Sequence, residues 1–213
     1  MALGYLSGKA TSKLLKVNVN VPTLFLVSIL PDIDLLIPFL AHRGPIHSIL
    51  ITTLVFLPIF LFFGNKAAPY YIAMAQHSIV GDYLTDQGIQ LLWPITEGWY
   101  GVHIPTTSST NILLEWTFFL VSLVIMLRKG DIWILFKNQM SNFVLAIPVI
   151  TVLLPPFLSY PISAPLELVF PHLIYLTLFI ISILNTVRCR LRSNRRNLVG
   201  QPPTTTVTNL DDG

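Results

Sequence analysis

Apolar residues in this chain gather into long runs with few charges inside them. They show neither the strict alternation of half-buried strands nor the narrow stripe of a soluble amphipathic helix. Six runs stand out, at residues 21–40, 45–63, 67–92, 111–127, 140–154 and 166–187. Several approach the roughly 20 residues that a helix needs to cross a bilayer. Pro31 interrupts the first run, and the fifth is short. The pattern predicts an all-α, multi-pass transmembrane helical bundle of about six segments within a membrane domain at 21–187. Ahead of it, 1–20 reads as an amphipathic segment on the cytoplasmic face, with Leu3, Leu6, Ala10 and Leu14 on one side and lysines elsewhere. Behind it, 188–213 is a basic cluster followed by a polar tail that cannot bury a core. No internal repeat is visible, which counts against a transporter built from inverted halves.

Composition sharpens this picture. Of 213 residues, 53% are hydrophobic and 11% charged, with a mean hydropathy of +0.69; a soluble domain carries roughly a quarter charged residues. If all six runs cross, Lys9, Lys13, Lys16, Lys66, Arg128, Lys129, Lys137, Arg188, Arg190, Arg192, Arg195 and Arg196 share one face. The positive-inside rule makes that face cytoplasmic and puts both termini on it. Arg43 alone falls on the other side, among Asp32, Asp34, Asp82, Asp86, Glu97, Glu115 and Glu167. The single cysteine, Cys189, excludes an internal disulfide and a multi-cysteine metal site. The expected location is the cell membrane, with lipids as partners and no nucleic-acid partner.

The chemistry concentrates in 30–94. Asp32 and Asp34 follow Pro31, where the missing N–H opens the helical ladder. Carboxylates inside a membrane segment are costly unless something engages them. They either cap a broken helix or bind a metal, and capping accounts for one carboxylate better than for two. His42 and His47 flank Gly44-Pro45, a turn that lets both face one outer pocket. Asp and His together suit zinc first, with manganese or iron as alternatives. Arg43 would either pair with Asp32 or Asp34 or clamp an anionic oxygen beside the metal. Asp82 reaches the same depth as Asp34. His77 lies five residues before Asp82, about 140° round an ideal helix, and a π-bulge would bring the two together. Asp86 fits the Asp-Gln-Gly turn that follows. Trp93, Trp99 and Tyr100 read as an interfacial aromatic belt. Glu97 and His103 read as surface loop residues, and Glu115 and His172 as interhelical polar contacts. Ser48 has neither a nucleophile elbow nor a triad around it, which disfavours a serine hydrolase.

The ordered set Leu30-Pro31-Asp32-Ile33-Asp34, His42-Arg43-Gly44-x-x-His47-Ser48, Asp82-x-x-Thr85-x-x-Gly88 and Leu91-Leu92-Trp93-Pro94 resembles the YdjM-like family of inner-membrane, metal-dependent hydrolases, in its archaeal-type branch. The resemblance implies hydrolase chemistry, with Asp32, Asp34, His42, His47 and Asp82 as metal ligands or catalytic groups. It also implies kinship to zinc-dependent phospholipases and nucleases. This chain departs from the relatives' pattern in having no histidine before His42, and in having Ser78 where many have a histidine four residues before the aspartate.

Together these expectations describe a membrane hydrolase whose divalent metal activates water at the extracytoplasmic face. Asp32, Asp34, His42, His47, Asp82 and His77 would hold the metal, Arg43 and Asp82 would serve catalysis, and a phosphoester or lipid would be the substrate. The same cluster would also serve a metal- or proton-handling transporter, or a non-catalytic protein that fastens its helices with a metal.

Overall fold

The computed structural model describes residues 1–85, 87–158 and 165–199, the side chains of 194–199 excepted. Asp86, with the turn expected at it, and the polar tail from residue 200 lie outside the described residues. The described chain is helical, with two isolated bridges, Thr85 to Ile104 and Ile89 to Tyr100, in place of strands.

Three of the six apolar runs form helices long and apolar enough to cross a membrane: Ile49–Lys66, Ser109–Lys129 and Leu166–Ser193. The first holds α3 (Ile49–Phe63), capped by Ser48, whose hydroxyl accepts from Leu50 N. Of α3 only Thr52 and Phe56 are buried, while Leu54, Leu57, Leu61 and Phe62 point outward, as expected of a helix whose solvent is lipid. The second is α5 (Ser109–Lys129), capped by Ser108 and stopped by Gly130. The third holds α9 (Val169–Val199). Lys66, then Arg128 and Lys129, then Arg188, Arg190 and Arg192 mark their C-terminal ends. Under the positive-inside rule all three run in the same sense.

The other three runs are short or broken, and the physical reasons differ. Helix α2 (Val21–Val27), capped by Asn20, gives way to a 3₁₀ segment, Leu30–Leu36. Pro31 has no N–H to continue the ladder, and Asp32 N bonds Ile29 O at 3.0 Å in 3₁₀ register. Helix α4 (Ala68–Gln76) passes into a π-helix, His77–Asp82, and the chain leaves helical form after it. The run 67–92 is therefore not one continuous helix. Its second half is a loop tied by paired Ile89–Tyr100 bonds of 2.8 and 2.9 Å and by Val102 N to Tyr83 O at 2.8 Å. After α6 (Asp131–Leu135), the fifth run is a 3₁₀ segment, Met140–Leu145, one turn of α7 (Ala146–Pro148) and a π segment, Val149–Leu153, before α8 (Pro155–Leu158).

Helix α1 (Ala2–Leu14) packs most closely on α4, with α5 and α2 beside it. Gly4 and Gly8 make the approach possible. A Cβ on Gly4 would lie 2.3 Å from Ser28 Cβ, and one on Gly8 would lie 2.5 Å from Leu24 Cδ1. This is the close backbone contact that a Gly-x-x-x-Gly spacing allows between membrane helices. The face of α1 turned to protein is therefore Gly4, Tyr5 and Gly8, with Tyr5 fully buried and stacked on Phe25 at 5.2 Å, while Ala10 and Leu14 of the expected apolar side are exposed. Phe25 meets Phe179 and Tyr175 edge-on at 5.1 and 5.7 Å, and Tyr175 meets Phe119 at 5.5 Å. This aromatic cluster joins α1, α2, α5 and α9 and holds the broken segments inside the bundle.

Candidate metal centre

The site forms where the three irregular segments meet. In the 3₁₀ segment Leu30–Leu36, Asp32 and Asp34 are two residues apart, so they leave the backbone in different directions and reach different partners. Asp32 Oδ2 lies 3.1 Å from His77 Nε2. Asp34 turns to the motif loop, where Oδ1 lies 3.0 Å from His42 Nδ1 and Oδ2 accepts from Arg43 N at 2.9 Å. Arg43 has φ +62°, a left-handed conformation for a non-glycine residue. That strain points to a site where the surroundings fix the backbone. Here Asp34 holds its N–H, and Gln90 N donates to its carbonyl at 3.1 Å.

The π-helix supplies the third edge. Its i→i+5 register, seen in Tyr83 N to Ser78 O at 3.0 Å, sets His77 one turn above Asp82. His77 Nε2 lies 3.3 Å from Asp82 Oδ2, a contact that a regular α-helix would not give. His47 sits at the centre with no exposed surface. Its Nδ1 lies 2.9 Å from Asp82 Oδ2, and its Nε2 lies 3.3 Å from Asp34 Oδ2 and 3.9 Å from Asp32 Oδ1. The His42 and His77 rings flank it, each with its centroid 5.7 Å from that of His47.

Two overlapping groups follow: Asp32, His47, His77 and Asp82, and Asp34, His42 and His47. Within each, one ligand atom per residue lies within 4.8 Å of all the others. Donor atoms about 3.3–3.6 Å apart suit a tetrahedral ion with bonds of about 2.0–2.2 Å; His77 Nε2 lies 3.1 and 3.3 Å from Asp32 and Asp82, and His47 Nε2 lies 3.9 Å from Asp32. His47 Nε2 and His77 Nε2 are also buried without an aligned hydrogen-bond partner, although carboxylates surround them. Buried polar atoms are normally paired. The Asp82 carboxylate can accept only from a Nδ1–H of His47, so in the neutral ring, the form a metal takes, Nε2 would be the lone pair. The residues fit a divalent ion.

Arg43 does not pair with Asp32 or Asp34 through its guanidinium, as the sequence suggests. Its Nε lies 3.4 Å from Asp82 Oδ1 and its Nη1 donates to Thr85 Oγ1 at 2.5 Å. The reason is geometric: Asp34 already holds the Arg43 backbone, so the side chain extends past it towards the π-helix. Thr85, in turn, donates to Asp82 O at 2.9 Å. Nothing in the sequence singles out Thr85 except its spacing from Asp82. Ser48 caps α3 and donates to Leu91 O and Trp93 O at 3.1 and 2.7 Å, fastening the aromatic loop to the motif. Glu97 and His103 are exposed in that loop. His172 donates from Nδ1 to Leu168 O, one turn before it, at 2.8 Å. Glu115 and His172 line a cavity of about 360 Å³ that also reaches Met1, Arg43, His77 and Asp82.

Helices that can cross a membrane, and an Asp/His cluster set between broken ones, are what the family comparison bears on. Residues 1–164 match the model described as YdjM inner membrane protein. The chain belongs to that family. The YdjM match covers every element that contributes to the cluster and ends before α9. It also places the protein in the membrane, in agreement with the three apolar helices. No curated protein and no solved structure matches the chain.

Proposed function

We propose that this protein is a membrane-bound, metal-dependent hydrolase acting on phosphoesters, with lipid phosphoesters as the substrate class. The observation that carries the proposal is the pair of buried ring nitrogens, His47 Nε2 and His77 Nε2, set among carboxylates without an aligned hydrogen bond, beside an Arg43-lined cavity. Asp32, His47, His77 and Asp82 would hold a divalent ion, with zinc the best match to this donor set and manganese or iron as alternatives. Such an ion supplies Lewis acidity and brings the pKa of a bound water towards about 7.

The protein's own groups divide the remaining work. Asp34 and His42 fix the loop from which Arg43 and His47 project. Asp82, accepting from His47 Nδ1, would hold that ring in the tautomer whose Nε2 can bind an ion. Arg43, steadied by Thr85 and Asp82, presents its guanidinium to the cavity, where it would bind the anionic oxygens of a phosphoester and stabilise charge as it develops.

The test is turnover of a phosphodiester probe, bis(4-nitrophenyl) phosphate, by detergent-purified protein after chelation and after return of each metal. The proposal expects activity only with metal, and its loss in Arg43→Ala with the metal retained. Metal or proton flux through reconstituted vesicles, with no turnover of any phosphoester, would overturn it in favour of transport. Unfolding on metal removal, again without turnover, would leave the metal a helix fastener.

A further inference from the structure

Between Asp34 and His42 the chain leaves the Asp/His cluster and returns to it. Asp34 Oδ1 lies 3.0 Å from His42 Nδ1 and Oδ2 accepts from Arg43 N at 2.9 Å, so one carboxylate clamps the neck of the loop. The loop carries Leu35, Leu36, Ile37, Pro38 and Phe39, consecutive exposed residues that are all apolar. Leu35 and Leu36 each keep 52% of their surface, Ile37 keeps 42%, and Phe39 keeps all of it. Phe39 also takes the left-handed conformation, at φ +75°, which a bulky residue rarely adopts. No charged side chain stands between Asp34 and His42. A run of this kind is a liability in water, and an exposed apolar patch marks an interaction surface.

The neck fixes the level of the loop. Asp34 Oδ2 lies 3.3 Å from His47 Nε2, and His47 stands two residues before α3 begins. The 18 apolar-rich residues Ile49–Lys66 make a helix about 27 Å long, close to the roughly 30 Å of a hydrocarbon core. The start of α3 therefore lies at the membrane boundary opposite its basic end. The neighbouring loop stands at the same level, because Gln90 N donates to Arg43 O at 3.1 Å and Ser48 Oγ to Trp93 O at 2.7 Å. That loop exposes Leu92, Ile95, Trp99 and Tyr100, and Trp and Tyr gather at membrane interfaces. Depth follows from the backbone. Residues 37–44 are not helical, and irregular backbone facing lipid does not occur within the hydrocarbon core. The side chains disfavour bulk water and the backbone excludes the core, which leaves the boundary between headgroups and acyl chains.

We propose that Leu35–Phe39 is a membrane wedge, seated among the headgroups and upper acyl chains of the leaflet opposite the basic helix ends. Because Asp34 and His42 clamp its neck, the wedge holds the Asp/His cluster at the level of the lipid phosphates. The occupant of this surface is bilayer lipid, and a second copy of the chain is the competing outcome. Where the loop sits does not depend on the hydrolase reading. On that reading, a lipid phosphate and the cluster would stand at one depth, with no need to lift the lipid out of the bilayer.

Power-saturation electron paramagnetic resonance measures that depth. In a Cys189→Ser background, Phe39→Cys carries a nitroxide label, with Leu57→Cys on the exposed face of α3 and Thr107→Cys on an exposed polar turn for comparison. The full chain is reconstituted into vesicles of phosphatidylcholine and phosphatidylglycerol. The label at residue 39 should favour oxygen over a water-soluble nickel chelate severalfold more than the label at residue 107. Its depth should be about 5–10 Å into the boundary region, shallower than that of residue 57. Nickel access equal to that at residue 107 would overturn the wedge and leave the loop in water. Spin–spin broadening that disappears on dilution with unlabelled chains would assign the surface to a second copy and overturn it as well. Leu36→Cys, labelled in the same way, decides between these outcomes if Phe39→Cys does not fold. A loop found in water would leave the hydrolase proposal standing, since turnover and metal content are read separately.

Discussion

Two buried polar regions of this molecule look alike in sequence and differ in how they are satisfied. Among the basic ends of the crossing helices, Asp131 Oδ2 receives the Tyr5 hydroxyl at 2.7 Å and Lys9 Nζ at 2.7 Å. Close by, Asn142 donates to Leu135 O, Lys137 O and Thr186 Oγ1, and Ser182 to Leu135 O, so the open carbonyls at the end of α6 are closed. None of these side-chain atoms is left buried without a partner. Burial and the Asp131 bond together push the Tyr5 hydroxyl well above its ordinary range, so it stays a donor. In the Asp/His cluster, by contrast, His47 Nε2, His77 Nε2 and Arg43 Nε are buried without an aligned hydrogen bond, although carboxylate oxygens lie 3.1 to 3.4 Å from them. A network that closes on itself holds helices together. One that leaves buried polar atoms without aligned partners has room for a bound ion to complete it.

This comparison can be broken most forcefully at its closed end. Asp131→Ala should cost about 3–5 kcal/mol of stability, because Lys9 and Tyr5 lose their shared partner in a buried setting. Denaturation in detergent would measure the loss, and metal content per folded chain should not change. A variant as stable as wild type would mean that the closed network does not fasten α1 to α6. At the open end, Asp34→Asn keeps the shape of the side chain but weakens its hold on His42 and the Arg43 backbone. Metal affinity should fall about 10–100-fold, the usual cost of losing an outer-shell partner. Competition with a chromophoric chelator reads this directly, and an unchanged affinity would remove Asp34 from the centre's support. The smallest effect is expected at Ser48→Ala, which loses the α3 cap and two loop bonds, for about 0.5–2 kcal/mol. Its metal content and turnover per folded molecule should match wild type. Loss of turnover with metal retained would return Ser48 to the catalytic candidates.

Much of the site was legible because its residues are costly where they stand. Asp32, Asp34, His42, His47 and Asp82 interrupt apolar runs, and Pro31 announces the irregular backbone that gathers two of them. His77 needed one further idea: five-residue spacing from Asp82 makes sense only in a π register, and a π-helix spans those residues. The run pattern was less informative about the fold. Runs 21–40, 67–92 and 140–154 are as apolar as the others but fold into short or broken helices, a difference that apolar run length does not reveal. The packing role of α1 was carried by Gly4 and Gly8, a spacing easily lost in a segment whose lysines draw the eye. The partner of the Arg43 guanidinium was not legible, because it depends on Asp34 having first claimed the backbone of the same residue. Glu115 and His172 lie far from the motif in sequence, and only the packing of α5 and α9 brings them to its cavity.

On the proposed reading, the open network exists to hold a metal ion. Elemental mass spectrometry of the protein purified in mild detergent, beside a monodisperse His47→Ala/His77→Ala variant, tests it most directly. The account predicts near-stoichiometric zinc, manganese or iron in the wild type and none in the still-folded variant. A wild type that takes up no ion, even after reconstitution with each of the three in turn, would contradict it.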